Sequence, residues 1–156
     1  MKLQDLANIS IIMQGVFIPF SLVFVLFQLY KQTQLTRAAN AQALVQISSP
    51  FHLLMIQDPK VVELWLHGAK TFETMGEVEK AQYMGLVTWW LLLHENIFHQ
   101  GQMKLIEQKM YESWQRDLEY LVRHHRLENR WKSLRSYYHD DFACHVDDII
   151  AKRVSL

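Results

Sequence analysis

From residue 9 to residue 29 the chain carries no Lys, Arg, Asp, Glu or His. A helix of twenty-one residues, rising 1.5 Å per residue, reaches roughly 30 Å, the thickness of the hydrocarbon core of a bilayer. Backbone in lipid must satisfy its own N–H and C=O groups, so such a run folds as a helix. The run therefore predicts one transmembrane helix over residues 9–30, preceded by a short N-terminal segment, 1–8. Tyr30 and Lys31 close it with an aromatic ring suited to headgroup depth and an amine that can snorkel beside it.

A cleaved secretory signal is the competing reading. It would show a basic start, an apolar stretch of roughly 7–15 residues and a small-residue cleavage site close behind. Here the apolar stretch is longer, and Asp5 offsets Lys2. The A-x-A match at Ala41, Gln42 and Ala43 lies well beyond Leu29. A retained anchor is expected.

The polar residues of the span are Ser10, Gln14, Ser21 and Gln28. At about 100° per residue they fall within roughly 40° of one another. A stripe of hydroxyls and amides is poorly matched to lipid tails and well matched to a second helix, at about 0.6–2 kcal/mol per hydrogen bond. It could equally be a chance alignment of tolerated polar residues. The favoured reading is a partner-binding stripe for another transmembrane helix, in a homo-oligomer or as a subunit of a membrane complex. Pro19, on the opposite face, deprives the Gly15 carbonyl of its helical donor, so a kink is expected there.

The rest of the chain is electrically balanced. Its 16 Lys and Arg against 16 Asp and Glu leave no basic excess of the kind a nucleic-acid binder carries, so none is expected as a partner. Cys144 is alone, which precludes an internal disulfide and suits a reducing compartment. No N-x-S/T sequon follows the span. Lys2 before the span and Lys31 and Arg37 after it nearly cancel under the positive-inside rule. The cysteine and the missing sequons favour a cytoplasmic C-terminal domain, and the expected location of the anchor is the cell inner membrane.

Only 5 Gly and 3 Pro punctuate 156 residues, which favours long helices. Residues 31–48 have no breaker and read as a helical stem that continues the anchor until Ser49 and Pro50 interrupt it. Residues 51–56 suit a short helix. Asp58 followed by Pro59 is a helix start, with an N-cap and a first-turn proline, and that helix would run to Gly68. Thr74 with Glu77 three residues on matches a capping box, and the helix it opens would end near Gln100 with Gly101 as its stop. Residues 84–93 are apolar nearly all round but too few to cross a bilayer, so this is the central buried helix. Further helices are expected over 105–125, with Ile106, Met110, Trp114, Leu118 and Leu121 on one face, and over 127–138, with Leu127, Trp131, Leu134 and Tyr138. A last one, capped by Asp140, carries Phe142, Val146, Ile149 and Ile150. The fold class is all-α: an anchor, a stem over 31–48 and a small helical bundle over 49–156.

Eight His residues raise the question of a metal. His94 and His99 are five apart and point in different directions from a helix, so they do not form an H-E-x-x-H site. His139, Asp141 and His145 make a second, weaker group that also suits a polar helix end. No metal and no cofactor is expected. Glu95 continues a core stripe with Met84, Leu91 and Phe98. A buried carboxylate needs a partner, and Arg123, Arg130 and Arg135 are available. Two readings stand: a structural ion pair or helix-end bond, or a polar site with His99. The five Trp residues read as core. Arg123, His124, His125 and Arg126 read as a solvated basic helix end. No nucleophile elbow, P-loop or G-x-G-x-x-G is present.

Several short motifs occur in a telling order: Ser21 to Phe24 with Gln28 to Thr33; Gln57, Asp58 and Pro59 with Leu64, Trp65 and Gly68; Glu95 to Phe98 with Gln100 and Gly101; Trp114 and Trp131; and Phe142 with Val146, Asp147 and Asp148. In this the chain resembles an uncharacterised family of short bacterial membrane proteins with one N-terminal transmembrane helix and a helical domain. His99 departs from the aromatic, Asn-containing stretch that follows the Glu in that family. The resemblance implies the architecture and no activity. The function expected is that of a non-enzymatic, membrane-anchored interaction protein, an accessory or regulatory subunit of a membrane assembly. The alternative is a membrane-tethered sensor or enzyme with a polar pocket around Glu95.

Overall fold

The computed structural model describes the backbone of residues 3–154 and the side chains of residues 17–152, together with Gly15. Every regular element in it is helical. Helix α1 spans Leu3–Gln57, α2 Pro59–Thr71, α3 Glu77–Gln102, α4 Gln108–His124, α5 Trp131–Leu134 and α6 Asp140–Val154. Short 3-10 turns cover Phe72–Thr74, Leu127–Asn129 and Arg135–Tyr137. The chain divides into two compact units, Met1–Ala39 and Asn40–Leu156.

In the first unit the helix shows large apolar side chains exposed from Phe17 to Tyr30. Among the described residues no helix is long and apolar enough to cross a membrane. The expected span over 9–30 lies partly outside those residues, as do the side chains of Ser10 and Gln14. Helical hydrogen bonding continues past Pro19.

The second unit differs from expectation first at Pro50, which does not end α1. The helix holds through it because Leu44, Ser48 and Phe51, one turn apart, are buried on a single face. Burying Leu44 and Phe51 contributes roughly 1.5–3 kcal/mol each, against about 3 kcal/mol for an interior proline. The compact unit thus takes in residues 40–48 of the expected stem, and Asn40 Nδ2 donates to the Leu105 carbonyl at 3.1 Å.

Asp58 caps α2 as expected, its Oδ1 accepting from Lys60 N at 2.9 Å. The helix runs past Gly68, which is buried under the ring of Tyr83. Thr74 does not cap α3. Its hydroxyl donates to the Thr71 carbonyl, and the N-cap is Gly76, whose N–H donates to Glu79 Oε2 at 3.2 Å. Gly101 likewise sits inside α3, with the ring of Tyr111 against it, and Lys104 takes the left-handed conformation after the helix end.

Helix α3 is the centre of the core, contributing Tyr83, Val87, Trp90, Leu91, Leu93, His94, Ile97 and Phe98. Against it pack Leu118, Leu121 and Val122 of α4, and Phe142, Ala143, Val146 and Ile149 of α6. The stretch expected as one helix over 127–138 is broken into a 3-10 turn, the four residues of α5 and a second 3-10 turn. Its predicted face holds nonetheless: Leu127, Trp131, Leu134 and Tyr138 are all buried. Asp147 of α6 pins this stretch, its Oδ1 accepting from Trp131 Nε1 and its Oδ2 from Arg135 Nε at 2.9 Å. Burial and that anchorage set the path at the expense of helical regularity.

Candidate functional site

Glu95 is half-buried, and its Oε1 accepts the backbone N–H of His139 at 2.6 Å. The carboxylate closes the start of α6, the helix-end bond foreseen as one of its two readings. None of the three arginines reaches it. Arg123 lies 3.9 Å from Glu119, Arg135 pairs with Asp147, and the Arg130 guanidinium sits 4.0 Å over the Phe72 ring. The rings of His99 and His139 are perpendicular, with centroids 5.2 Å apart. The structure brings Glu95 and His99 to the same end of α6, but Glu95 is committed to a backbone donor. His145 belongs elsewhere, its Nε2 meeting Gln115 Oε1 and its ring stacking on Phe98. Among the described residues no group of three or more His, Cys, Asp and Glu side chains is placed to hold a metal ion.

The more organised polar constellation centres on a residue that sequence reasoning passed over. Asp117 on α4 receives two donors from α3: Trp90 Nε1 at 3.0 Å and His94 Nε2 at 3.1 Å. Trp90 and His94 are one turn apart, so both reach the same carboxylate. An ionised carboxylate only accepts, which fixes the proton on His94 Nε2. Burial works to raise the Asp117 pKa, but the hydrogen bond and charge of His94, the indole N–H and His52 outweigh it and hold the carboxyl below its ordinary range. Both bonds converge on Oδ2 and neither engages Oδ1. His94 itself is only 1% exposed, with Trp114 edge-on at 5.7 Å.

Asp117 lines a cleft of about 280 Å³. Phe51, His52 and Met55 of α1 form one side, Trp65 of α2 and Trp90 of α3 the back, and Tyr120 and Leu121 of α4 the other side. The rings of Phe51, Trp65 and Trp90 touch one another, with centroids 4.7 Å apart for Phe51 and Trp90 and 4.9 Å for Phe51 and Trp65. His52 Nδ1 lies 3.0 Å from the Ser48 carbonyl, an acceptor, so that nitrogen carries the proton.

Behind Trp65 lies a second polar group. His125, expected on a solvated basic end, is 1% exposed. Its Nδ1 is 2.9 Å from the Tyr83 hydroxyl and its Nε2 is buried without a partner. Burial, with the charges of His124 and Arg130, pushes its pKa down to about 3, and burial pushes that of Tyr83 up to about 12. His125 is therefore neutral near pH 7. The signal available in the sequence was the phase of His125 with Leu118, Leu121 and Val122 on α4. For Asp117 no such signal existed, because its partners lie on another helix.

No family model, no curated protein and no solved structure matches this chain.

Proposed function

We propose that this chain is a single-pass membrane protein whose helix over residues 9–30 anchors it and recognises a second transmembrane helix, and that it acts by binding as an accessory or regulatory subunit of a membrane assembly. One observation supports the anchor above the rest. Eleven large apolar side chains between Phe17 and Tyr30 are exposed. At about 100° per residue they point in every direction around the helix. A protein partner covers one stripe of a helix, whereas lipid covers all of it. Lys31, whose amine lies 5.6 Å from the Phe27 ring, suits the headgroup boundary.

Within this reading the polar stripe is unequal. The Ser21 hydroxyl donates to the Phe17 carbonyl at 2.7 Å, so its donor is already used within its own helix. Gln28 is exposed and keeps a whole amide for a neighbour.

The test has two arms. The full chain expressed in a bacterium should stay in the membrane pellet through alkaline carbonate extraction. Leu22→Arg should release it, because a cation near the helix centre costs about 2.5–3.5 kcal/mol on the insertion scale. A photoreactive residue at Gln28 should crosslink to another helix in the membrane, while one at Leu26, on the far face, should not. A carbonate-soluble wild-type chain defeats the anchor. Equal capture from Gln28 and Leu26, or none from either, defeats the stripe.

A further inference from the structure

We infer that the cleft between the end of α1 and helices α2 to α4 binds a small organic ammonium ion, held by the Asp117 carboxylate beside the aromatic side chains of Trp65, Phe51 and Tyr120. This inference is independent of the membrane reading.

The polar groups left available in the cleft favour a cation. Three N–H groups beside the cleft are already used: Trp90 Nε1 and His94 Nε2 on Asp117 Oδ2, and His52 Nδ1 on the Ser48 carbonyl. The Tyr120 hydroxyl stands 3.4 Å from His124 Nδ1. An anionic ligand meets the like charge of the Asp117 carboxylate in the cleft wall. A cation finds a carboxylate with an unengaged Oδ1 in a cleft lined by Phe51, Trp65, Trp90 and Tyr120, whose aromatic rings can attract it. Two fixed N–H donors orient that carboxylate in advance, so little ordering is left for the ligand to induce. Asp117 is half-buried, its side chain 42% exposed, so the charge is partly desolvated yet reachable. The volume of about 280 Å³ falls just below the roughly 300–1,000 Å³ of drug-sized ligand sites, which suits an ammonium head and a short tail.

The ammonium could belong to a free amine or to a lipid headgroup, and the probes separate the two. The purified full chain, in maltoside detergent at constant ionic strength, is titrated with choline and with glycerophosphocholine while tryptophan fluorescence is followed. A saturable change is expected with at least one, and the tighter of the two identifies the source. The neutral carbon isostere of choline, 3,3-dimethylbutan-1-ol, should bind at least fivefold more weakly. Asp117→Asn, which keeps an oxygen for the Trp90 indole, should weaken binding at least tenfold, and Tyr120→Leu, at an exposed rim position, severalfold. Should Asp117→Asn fail to fold, the isostere comparison on the unaltered chain decides alone. Absence of saturation with both cations, or an isostere that binds as well as choline, overturns the inference.

Discussion

Glu95 Oε1 accepts the backbone N–H of His139 at 2.6 Å, joining two residues 44 positions apart and tying the C-terminal half of α3 to the residue that leads into α6. A charge-assisted bond to an otherwise orphaned N–H, at the positive end of a helix dipole, does structural work. Glu95→Ala should lower stability by about 1–2 kcal/mol, since the N–H loses its acceptor and α6 loses a favourable charge. Glu95→Gln should recover roughly half of that loss. Thermal denaturation of both variants checks it, and an unchanged melting temperature for Glu95→Ala would refute the role.

Three glycines of the helical unit should respond in opposite directions to the same substitution. Built Cβ atoms at Gly68 and Gly101 collide with the rings of Tyr83 and Tyr111, whereas at Gly85 nothing lies within 4 Å. Gly85→Ala should stabilise by up to about 1 kcal/mol, the helix-propensity difference. Gly68→Ala and Gly101→Ala should each destabilise by about 1–3 kcal/mol, because overpacking exceeds the propensity gain. Denaturant melts of the three variants give the signs directly.

His125 makes stability depend on pH. Its folded pKa, about 3, lies below the ordinary 6.5, so the folded state prefers the neutral ring. As pH falls below 6.5 the unfolded chain takes up a proton that the folded chain refuses. Stability should fall by up to about 1.4 kcal/mol per pH unit from that point toward pH 3, with the full contribution present above pH 6.5. His145, whose pKa burial also lowers, acts with the same sign. Asp117 adds its loss only below the ordinary carboxylate value of 3.8. His125→Phe should flatten the profile between pH 6 and pH 4, even where it costs stability at pH 7 through the Tyr83 hydroxyl. A profile that keeps its slope in the variant assigns the acid sensitivity elsewhere.

Within the proposed anchor, Ser21 and Gln28 should differ as contacts. Ser21→Ala removes a hydroxyl that donates within its own helix and should leave helix association nearly unchanged. Gln28→Leu should weaken association by about 0.6–2 kcal/mol, the range for an interhelical hydrogen bond. An association assay in native-lipid vesicles separates them, and equal effects would mean the two residues contribute alike.

Most of the helical content was legible locally. Asp58 before Pro59 marks the start of α2 because the cap and the proline act within a few residues. The faces of α4 and of the stretch over 127–138 follow from apolar spacing alone. Local signals misplaced the ends, however. Pro50 looked like a stop, Thr74 like a cap, and Gly68 and Gly101 like terminators. Three were settled by packing: Leu44 and Phe51 carry α1 through the proline, and the two glycines admit tyrosine rings, whereas the Thr74 hydroxyl turns back to the Thr71 carbonyl.

The candidate site was the least legible part. Glu95 was visible because it broke an apolar stripe on its own helix. Asp117 was not, since nothing on α4 announces that Trp90 and His94 of α3 converge on it. The sequence by itself determined the helical class, the charge-free run over 9–29 and the buried faces, all of which depend on the order of neighbouring residues. Only the tertiary structure decided where helices end, that His125 is buried and that an aromatic cleft forms around Asp117. Those outcomes depend on contacts between residues far apart in the chain, and helical periodicity carries no record of them.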